Sequence, residues 1–273
     1  MFGIGSAFNT VKSLFRNKSL LWELVLRDVQ ESYRGSALSA AWAVLHPCVV
    51  IGVYIVVFGA LAGKRLNLDA LGGEGLDFTA YMLSGLVAWL AISQALVKGT
   101  SALLANSNLV KQVVFPIEAL VAKSNFSALL VQLVGYFVLA AYIFVQFGEI
   151  SPLLPLLPLV ISLQVLMLLG LTYLLSALSV FIRDVREVVQ MFATFGIFLL
   201  PIVYLPEWLP DWSLAVLYSN PLSYLIWCYQ DIFFYQQIIH PVAWVALPLF
   251  SAGFFLVGAV IFQHTKQNFG DVL

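Results

Sequence analysis

Charge is scarce in this chain: Asp, Glu, Lys and Arg make up 10% of its 273 residues, against 62% hydrophobic ones. A soluble domain carries roughly a quarter charged residues and under half apolar ones. This composition cannot cover a water-facing surface, and the chain reads as an integral membrane protein. Cysteine is nearly missing, and Cys48 and Cys228 are too few and too scattered for a disulfide framework or a thiolate metal site. Basic charge is not in surplus, with 13 Lys and Arg facing 14 Asp and Glu. That balance excludes nucleic-acid binding as a main role, which needs a concentrated basic surface. The histidines are His46, His240 and His264, far apart and at different expected depths, so no metal site is expected. The apolar runs hold almost no ionisable group apart from Glu118 and Lys123 near one end, whereas ion-coupled carriers usually place such groups at mid-membrane. The glycine cluster Gly72-Gly73-Glu74-Gly75 lacks the Lys-Ser/Thr of a phosphate-binding loop. No catalytic constellation and no ATP hydrolysis are expected of this chain.

What is present is a set of apolar runs long enough to cross a bilayer, which takes about 20 residues. Six occur, over 38–62, 78–97, 120–147, 153–182, 188–205 and 242–263. The segment before them, Met1–Phe15, is short and weakly apolar, with its basic residues Lys12, Arg16 and Lys18 at or after its end where a signal peptide would have them before an apolar core, so the N-terminus is expected to be retained. Eleven of the thirteen basic residues then fall on the N-terminal side of the membrane, and Lys64 and Arg65 on the other. By the positive-inside rule both termini are expected in the cytoplasm.

Four segments outside the runs carry pattern. In 19–34, Leu20, Leu21, Leu24, Val25, Val29 and Tyr33 recur at helical spacing, with Glu23, Arg27, Gln30, Glu31 and Arg34 opposite. This reads as an amphipathic interface helix whose mixed-sign face suits a protein partner, with a plain membrane anchor as the alternative. The stretch 98–115, with Asn108 and Lys111, ends at Phe115-Pro116, where proline interrupts helical continuity. Arg183-Asp184-Val185-Arg186-Glu187 packs four charges into five residues, a docking loop or a solvated turn. Finally, 206–240 is too rich in proline to span yet dense in aromatics, from Trp208 and Trp212 to Tyr235. It reads as two short helices broken at Asn220-Pro221, interfacial or dipping into the bilayer, and as either an aromatic belt or a lining on which pyranose faces could stack.

The string Leu26-Arg27-Asp28, then Tyr33-Arg34-Gly35-Ser36, Leu38, Trp42, Pro47, Tyr54 and Phe58, resembles the opening of the permease subunits of type-2 ABC exporters for bacterial polysaccharides. Leu109-Val110-Lys111 with Phe115-Pro116, the Arg183-Asp184 pair and Asn220-Pro221-Leu222 extend the resemblance over the chain from about Leu20 onward, towards the O-antigen and teichoic-acid branch. The resemblance implies one all-α permease domain over 1–273. It has six transmembrane helices, an N-terminal interface helix over 19–34 and periplasmic gate helices over 206–240. It implies a homodimer in the bacterial inner membrane with two copies of a separate ATPase, which binds the ATP and Mg. An undecaprenyl-pyrophosphate-linked polysaccharide, O-antigen in the first place, passes between the permeases; teichoic acid, capsule, or a drug or lipid cargo are the alternatives, and a non-transport anchor is the rival from another class. Carried onto this sequence, Arg27, Arg34, Asn108, Lys111, Arg183 and Asp184 are expected to dock the ATPase. Trp42, Tyr54, Phe58, Tyr204, Trp208 and Trp212 are expected along the substrate path.

Overall fold

The computed structural model describes residues 2–32, 41–62, 78–111, 115–148 and 150–272. The described residues are mostly helical, with no strand among them. In chain order the helices are α1 (Phe2–Arg16), α2 (Lys18–Glu31), α3 (Trp42–Ala62), α4 (Phe78–Ala105), the single turn α5 (Ser107–Val110), α6 (Ile117–Phe147), α7 (Leu157–Phe181), α8 (Asp184–Phe195), α9 (Asp211–Ser219), α10 (Pro221–Gln230), α11 (Pro241–Thr265) and α12 (Phe269–Val272). Four segments are long and apolar enough to cross a membrane, Phe78–Ala105, Ile117–Gln146, Leu154–Phe181 and Pro241–Asn268. The first run adds the 21-residue α3, which contains Pro47. Proline there removes the bond its amide would donate to the carbonyl of Ala43.

The fifth expected run, 188–205, is not one helix. It begins inside α8, which ends at Phe195, and continues as a 3-10 turn over Gly196–Leu199 before Leu200 turns extended (φ −124°, ψ 152°). Two residues account for the break. A Cβ on Gly196 would stand 2.4 Å from the Trp89 ring, so the backbone approaches α4 more closely than a side chain would allow. Pro201 then has no amide to carry a helix onward. At 1.5 Å per residue α8 spans about 18 Å, short of the roughly 30 Å hydrocarbon core.

α4 is the central post, buried along most of its length and packed by α6, α7, α8 and α10. A helix apolar all round is stable only when enclosed in this way. α6 runs antiparallel to it, α7 returns, and α11 packs on α7 backbone to backbone: a Cβ on Gly258 would lie 1.9 Å from the Gly170 carbonyl oxygen. Lipid offers apolar side chains no advantage in packing together, so small residues that let backbones touch are what hold such helices. The bundle therefore has two ends. One gathers α1, α2, α5, the start of α8 and the C-terminus, and the other the starts of α4, α7 and α11.

Candidate functional site

At the first end, α2 lies as the spacing predicts: Val25 is buried, Leu20, Leu21, Leu24 and Val29 are half-buried, and Glu23, Arg27, Gln30 and Glu31 are exposed. The side chain of Arg27 is 71% exposed and pairs with Glu31 at 2.8 Å. In the expected docking stretch 98–115, residues 98–105 are the last turns of α4, Asn106 breaks the helix and Ser107–Val110 form the turn α5, leaving Asn108 and Lys111 exposed; 112–114 lie outside the described residues. The charge cluster after α7 is the start of α8, where Asp184 and Glu187 occupy the first turn and meet the positive end of the helix dipole. Arg183 and Asp184 are exposed. Thus Arg27, Asn108, Lys111, Arg183 and Asp184 lie at the same end of the bundle on three separate elements. Arg34 lies outside the described residues, as do Tyr33, Gly35, Ser36 and Leu38.

Sequence reasoning passed over the residue next to Arg27. Asp28 turns inward, accepts hydrogen bonds from Lys98 Nζ on α4 at 3.0 Å and from Ser127 Oγ on α6 at 2.8 Å, and faces Lys123 Nζ at 3.7 Å. Lys98 also donates to Ser32 Oγ just beyond α2, at 2.9 Å. The signal was available, because a carboxylate on the apolar stripe of an amphipathic helix needs cationic partners. A second polar junction closes the same end. Glu118 is buried and accepts from Lys266 Nζ at 2.7 Å and Gln263 Nε2 at 2.9 Å, and Gln263 also donates to Thr10 of α1 at 3.0 Å. α1 itself was not expected as a helix, although Ala7, Thr10, Val11 and Leu14 follow i, i+3, i+4, i+7 and form its inward face.

At the other end the rings line up. Tyr54 stacks on Phe58 (centroids 5.9 Å apart, planes at 9°), Phe58 meets Phe78 at 6.4 Å, and Phe78 stacks on Trp208 at 5.6 Å and on Tyr81 at 5.9 Å. The Tyr81 hydroxyl donates to the carbonyls of Pro201 at 3.1 Å and Tyr204 at 3.2 Å. Three of the six path candidates, Tyr54, Phe58 and Trp208, thereby bring their rings into one chain with Phe78 and Tyr81, which the sequence did not single out; Tyr204 meets it only through its backbone carbonyl, its own hydroxyl donating to Phe198 O at 3.0 Å. Tyr54 and Phe58 are half-buried and pack against the core. Trp42 sits at the opposite end of α3, and Trp212 is 75% exposed on α9, outside this ladder.

The proline-rich segment is neither a simple belt nor a free lining. Trp227, Tyr229, Phe233 and Phe234 are core residues, and only Trp208, Trp212 and Tyr218 of its aromatics are exposed. α9 and α10 form a hairpin whose turn, Asn220-Pro221, reaches Leu96, Leu171 and Phe254 around an apolar cavity of about 330 Å³. Leu96 lies about 27 Å along α4 from Phe78 at 1.5 Å per residue, so the hairpin enters the bundle and does not lie across its end. Asn220 caps α10 by accepting from Leu222 N at 3.1 Å. At the base, buried Asp231 accepts from the His240 backbone N–H at 3.2 Å, contacts His240 Nδ1 at 2.7 Å and accepts from Trp244 Nε1 at 2.8 Å. Midway, Gln132 of α6 and Gln164 of α7 exchange amide hydrogen bonds at 3.0 and 2.7 Å, and Tyr229 of α10 donates its hydroxyl to Gln164 Oε1. All three side chains are buried.

The family model of the ABC-2 type transporter matches residues 19–234. The chain is similar to the O-antigen export system permease protein RfbA of Myxococcus xanthus, 31% identical over 110 residues that make up 40% of this chain and 39% of that one. It is also similar to two O-antigen export system permease proteins RfbA of Klebsiella pneumoniae, each 23% identical over 260 residues, which cover 93% of this chain and 95% of theirs.

Proposed function

This chain belongs to the ABC-2 type transporter family, and from that premise we propose that it is the channel-forming permease of an ATP-driven exporter of undecaprenyl-pyrophosphate-linked polysaccharide, O-antigen in the first place. The observation that carries the reading is the division of the bundle. Exposed polar groups on α2, α5 and α8 gather at one end, and a ladder of stacked rings with an inserted helical hairpin occupies the other. The first end suits a soluble motor. The second suits sugar rings, whose faces stack on aromatics without fixed hydrogen-bond registry.

In this reading the chain crosses the inner membrane six times, with both termini cytoplasmic as the basic residues direct. The fifth crossing is α8 with its broken continuation to Leu205. Two copies assemble, and outward valines of α3 (Val49, Val53, Val56) and the apolar face of α8 with the turn after it (Val188, Met191, Phe195, Phe198) are among the exposed apolar surfaces available to them. Two copies of a separate ATPase bind ATP and Mg and dock on Arg27, Arg34, Asn108, Lys111, Arg183 and Asp184. Tyr54, Phe58, Tyr204 and Trp208 line the exit with Trp212 beyond them, and Trp42 stands on the cytoplasmic side of the Pro47 bend. Deleting the gene in its host tests this. The lipid-linked polymer should accumulate inside and disappear from the surface, with its synthesis intact. Unchanged surface polysaccharide would contradict the reading.

A further inference from the structure

We infer that Asp28, held between Lys98 and Lys123, is the joint through which displacement of α2 is carried into α4 and α6. This rests on the reading of α2 as an ATPase-docking element. Arg27 and Asp28 are consecutive, so on a helix they point about 100° apart, as 3.6 residues per turn requires. Arg27 is turned out to a partner, and Asp28 is turned in to the bundle. A force on the docking face is therefore applied one residue away from the carboxylate.

The apolar underside of α2 resists sliding only weakly, because burial of Leu21, Leu24 and Val25 is non-directional. Charge-assisted hydrogen bonds have a preferred length and angle and fix a register. Among the described residues, the ion pairs joining α2 to the rest of the chain are Asp28–Lys98 and Asp28–Lys123. They reach two different helices, and Ser127 adds a bond to α6 while Ser32 ties Lys98 to the end of α2. One carboxylate shared by two ammonium groups also cannot be given up cheaply by either side. Without it Lys98 and Lys123, 32% and 13% exposed, would face each other as like charges.

What lies further along the two gripped helices gives the joint its meaning. α4 leads to Phe78 and Tyr81 in the aromatic ladder. α6 leads to Gln132, which is bonded through Gln164 to Tyr229 of the inserted hairpin. Both are unbroken helices of 28 and 31 residues, stiff enough to move as units. Asp28, Lys98 and Lys123 are positioning residues in this scheme, acting on the path through the helices they hold.

The test uses the full chain with its partner ATPase in lipid nanodiscs, in a Cys48→Ala background. Spin labels are placed on exposed Glu23→Cys in α2 or exposed Trp212→Cys in α9, and distances between copies are read with and without ATP and vanadate. In the parent both distances should shift on trapping. In Asp28→Asn the position-23 distance should still shift and ATP turnover persist, while the position-212 shift is lost; Asp28→Glu, which keeps a carboxylate on α2 for both lysines, should retain it. Lys98→Gln, the milder lesion at the most exposed member, should lessen the position-212 shift and decides the matter if Asp28→Asn does not accumulate. A full position-212 shift in Asp28→Asn, or in Lys98→Gln when only that variant is available, overturns the joint. Loss of the ATPase from the Asp28→Asn complex, or loss of the position-212 shift in Asp28→Glu, also overturns it, since Asp28 would then serve docking or folding alone. A parent complex that fails to assemble overturns the docking reading and the joint with it.

Discussion

Replacing Gln164 by Leu isolates what the buried amide exchange contributes. The substitution keeps side-chain volume and deletes three hydrogen bonds at once: both Gln132–Gln164 bonds and the one from Tyr229. Hydrogen bonds between membrane helices average about 0.6 kcal/mol and reach about 1.7, so three of them amount to about 2–5 kcal/mol. The same figure follows from the groups left behind. Gln132 Oε1, buried, would lack its partner, and the buried Tyr229 hydroxyl would keep only the 3.4 Å bond that Gln132 Nε2 donates to it, at about 1–3 kcal/mol for each group left short. Gln132→Leu/Gln164→Leu leaves only the Tyr229 hydroxyl stranded and should cost about 1–3 kcal/mol. The double variant is therefore expected to be more stable than Gln164→Leu alone, a non-additivity typical of groups sharing one network. Equilibrium unfolding of the purified chain in mixed micelles, followed by loss of helix, measures it. If the two single losses simply add, or if Gln164→Leu costs nothing, the three residues do not act as one unit and the hairpin is held by packing alone.

Charge reversal at Lys111 or Arg27 should weaken co-purification with the ATPase by about 1 kcal/mol, the scale of a rim contact, or about 2–5 if the contact becomes buried in the complex. The exposed Arg27–Glu31 pair adds only about 0.3–0.5 kcal/mol to α2, so its loss should leave the chain folded; unchanged complex in both variants would remove these residues from the docking surface. Tyr54→Ala and Phe58→Ala should reach normal abundance by immunoblot and export poorly with ATPase activity retained, each stacked pair contributing about 0.5–1.5 kcal/mol. Since both rings are half-buried against the core, loss of the protein from the membrane in place of loss of transport would assign them to packing. The purified chain should hydrolyse no ATP until the ATPase is added, and hydrolysis that survives an ATPase-dead partner would overturn the division of labour.

The spans were legible where an unbroken apolar run had nothing to interrupt it. α4, α6, α7 and α11 follow their runs; α4 continues to Ala105, about two turns past its run, because helical geometry continues into polar residues such as Lys98 and Thr100 that hydropathy excludes, whereas α7 starts only at Leu157, inside its run, after the 3-10 turn Leu154–Leu156. The fifth run is broken as a helix for a reason hydropathy cannot register: its apolar count is intact, but Gly196 lies against Trp89 and Pro201 follows. The hairpin break at Asn220-Pro221 was readable from proline and the capping side chain. Its depth was not, since the aromatics of an interfacial helix and of a buried one look alike in composition. The docking candidates were recognised as charges in apolar surroundings, which also made them easy to read as surface. Asp28, Phe78 and Tyr81 were missed because their roles arise from partners 70 to 130 positions away, as with Lys98 for Asp28 and Trp208 for Phe78.

The most direct measurement is transport itself. Inverted membrane vesicles containing the chain and its ATPase would be supplied with undecaprenyl-pyrophosphate-linked O-antigen labelled on the sugar, and protection of the label from an added glycosidase followed after ATP is given. The account predicts ATP-dependent protection that disappears with an ATPase-dead partner and falls in the Phe58→Ala chain. Label that stays fully digestible in vesicles whose complex hydrolyses ATP would contradict the assignment of this permease to a lipid-linked polysaccharide.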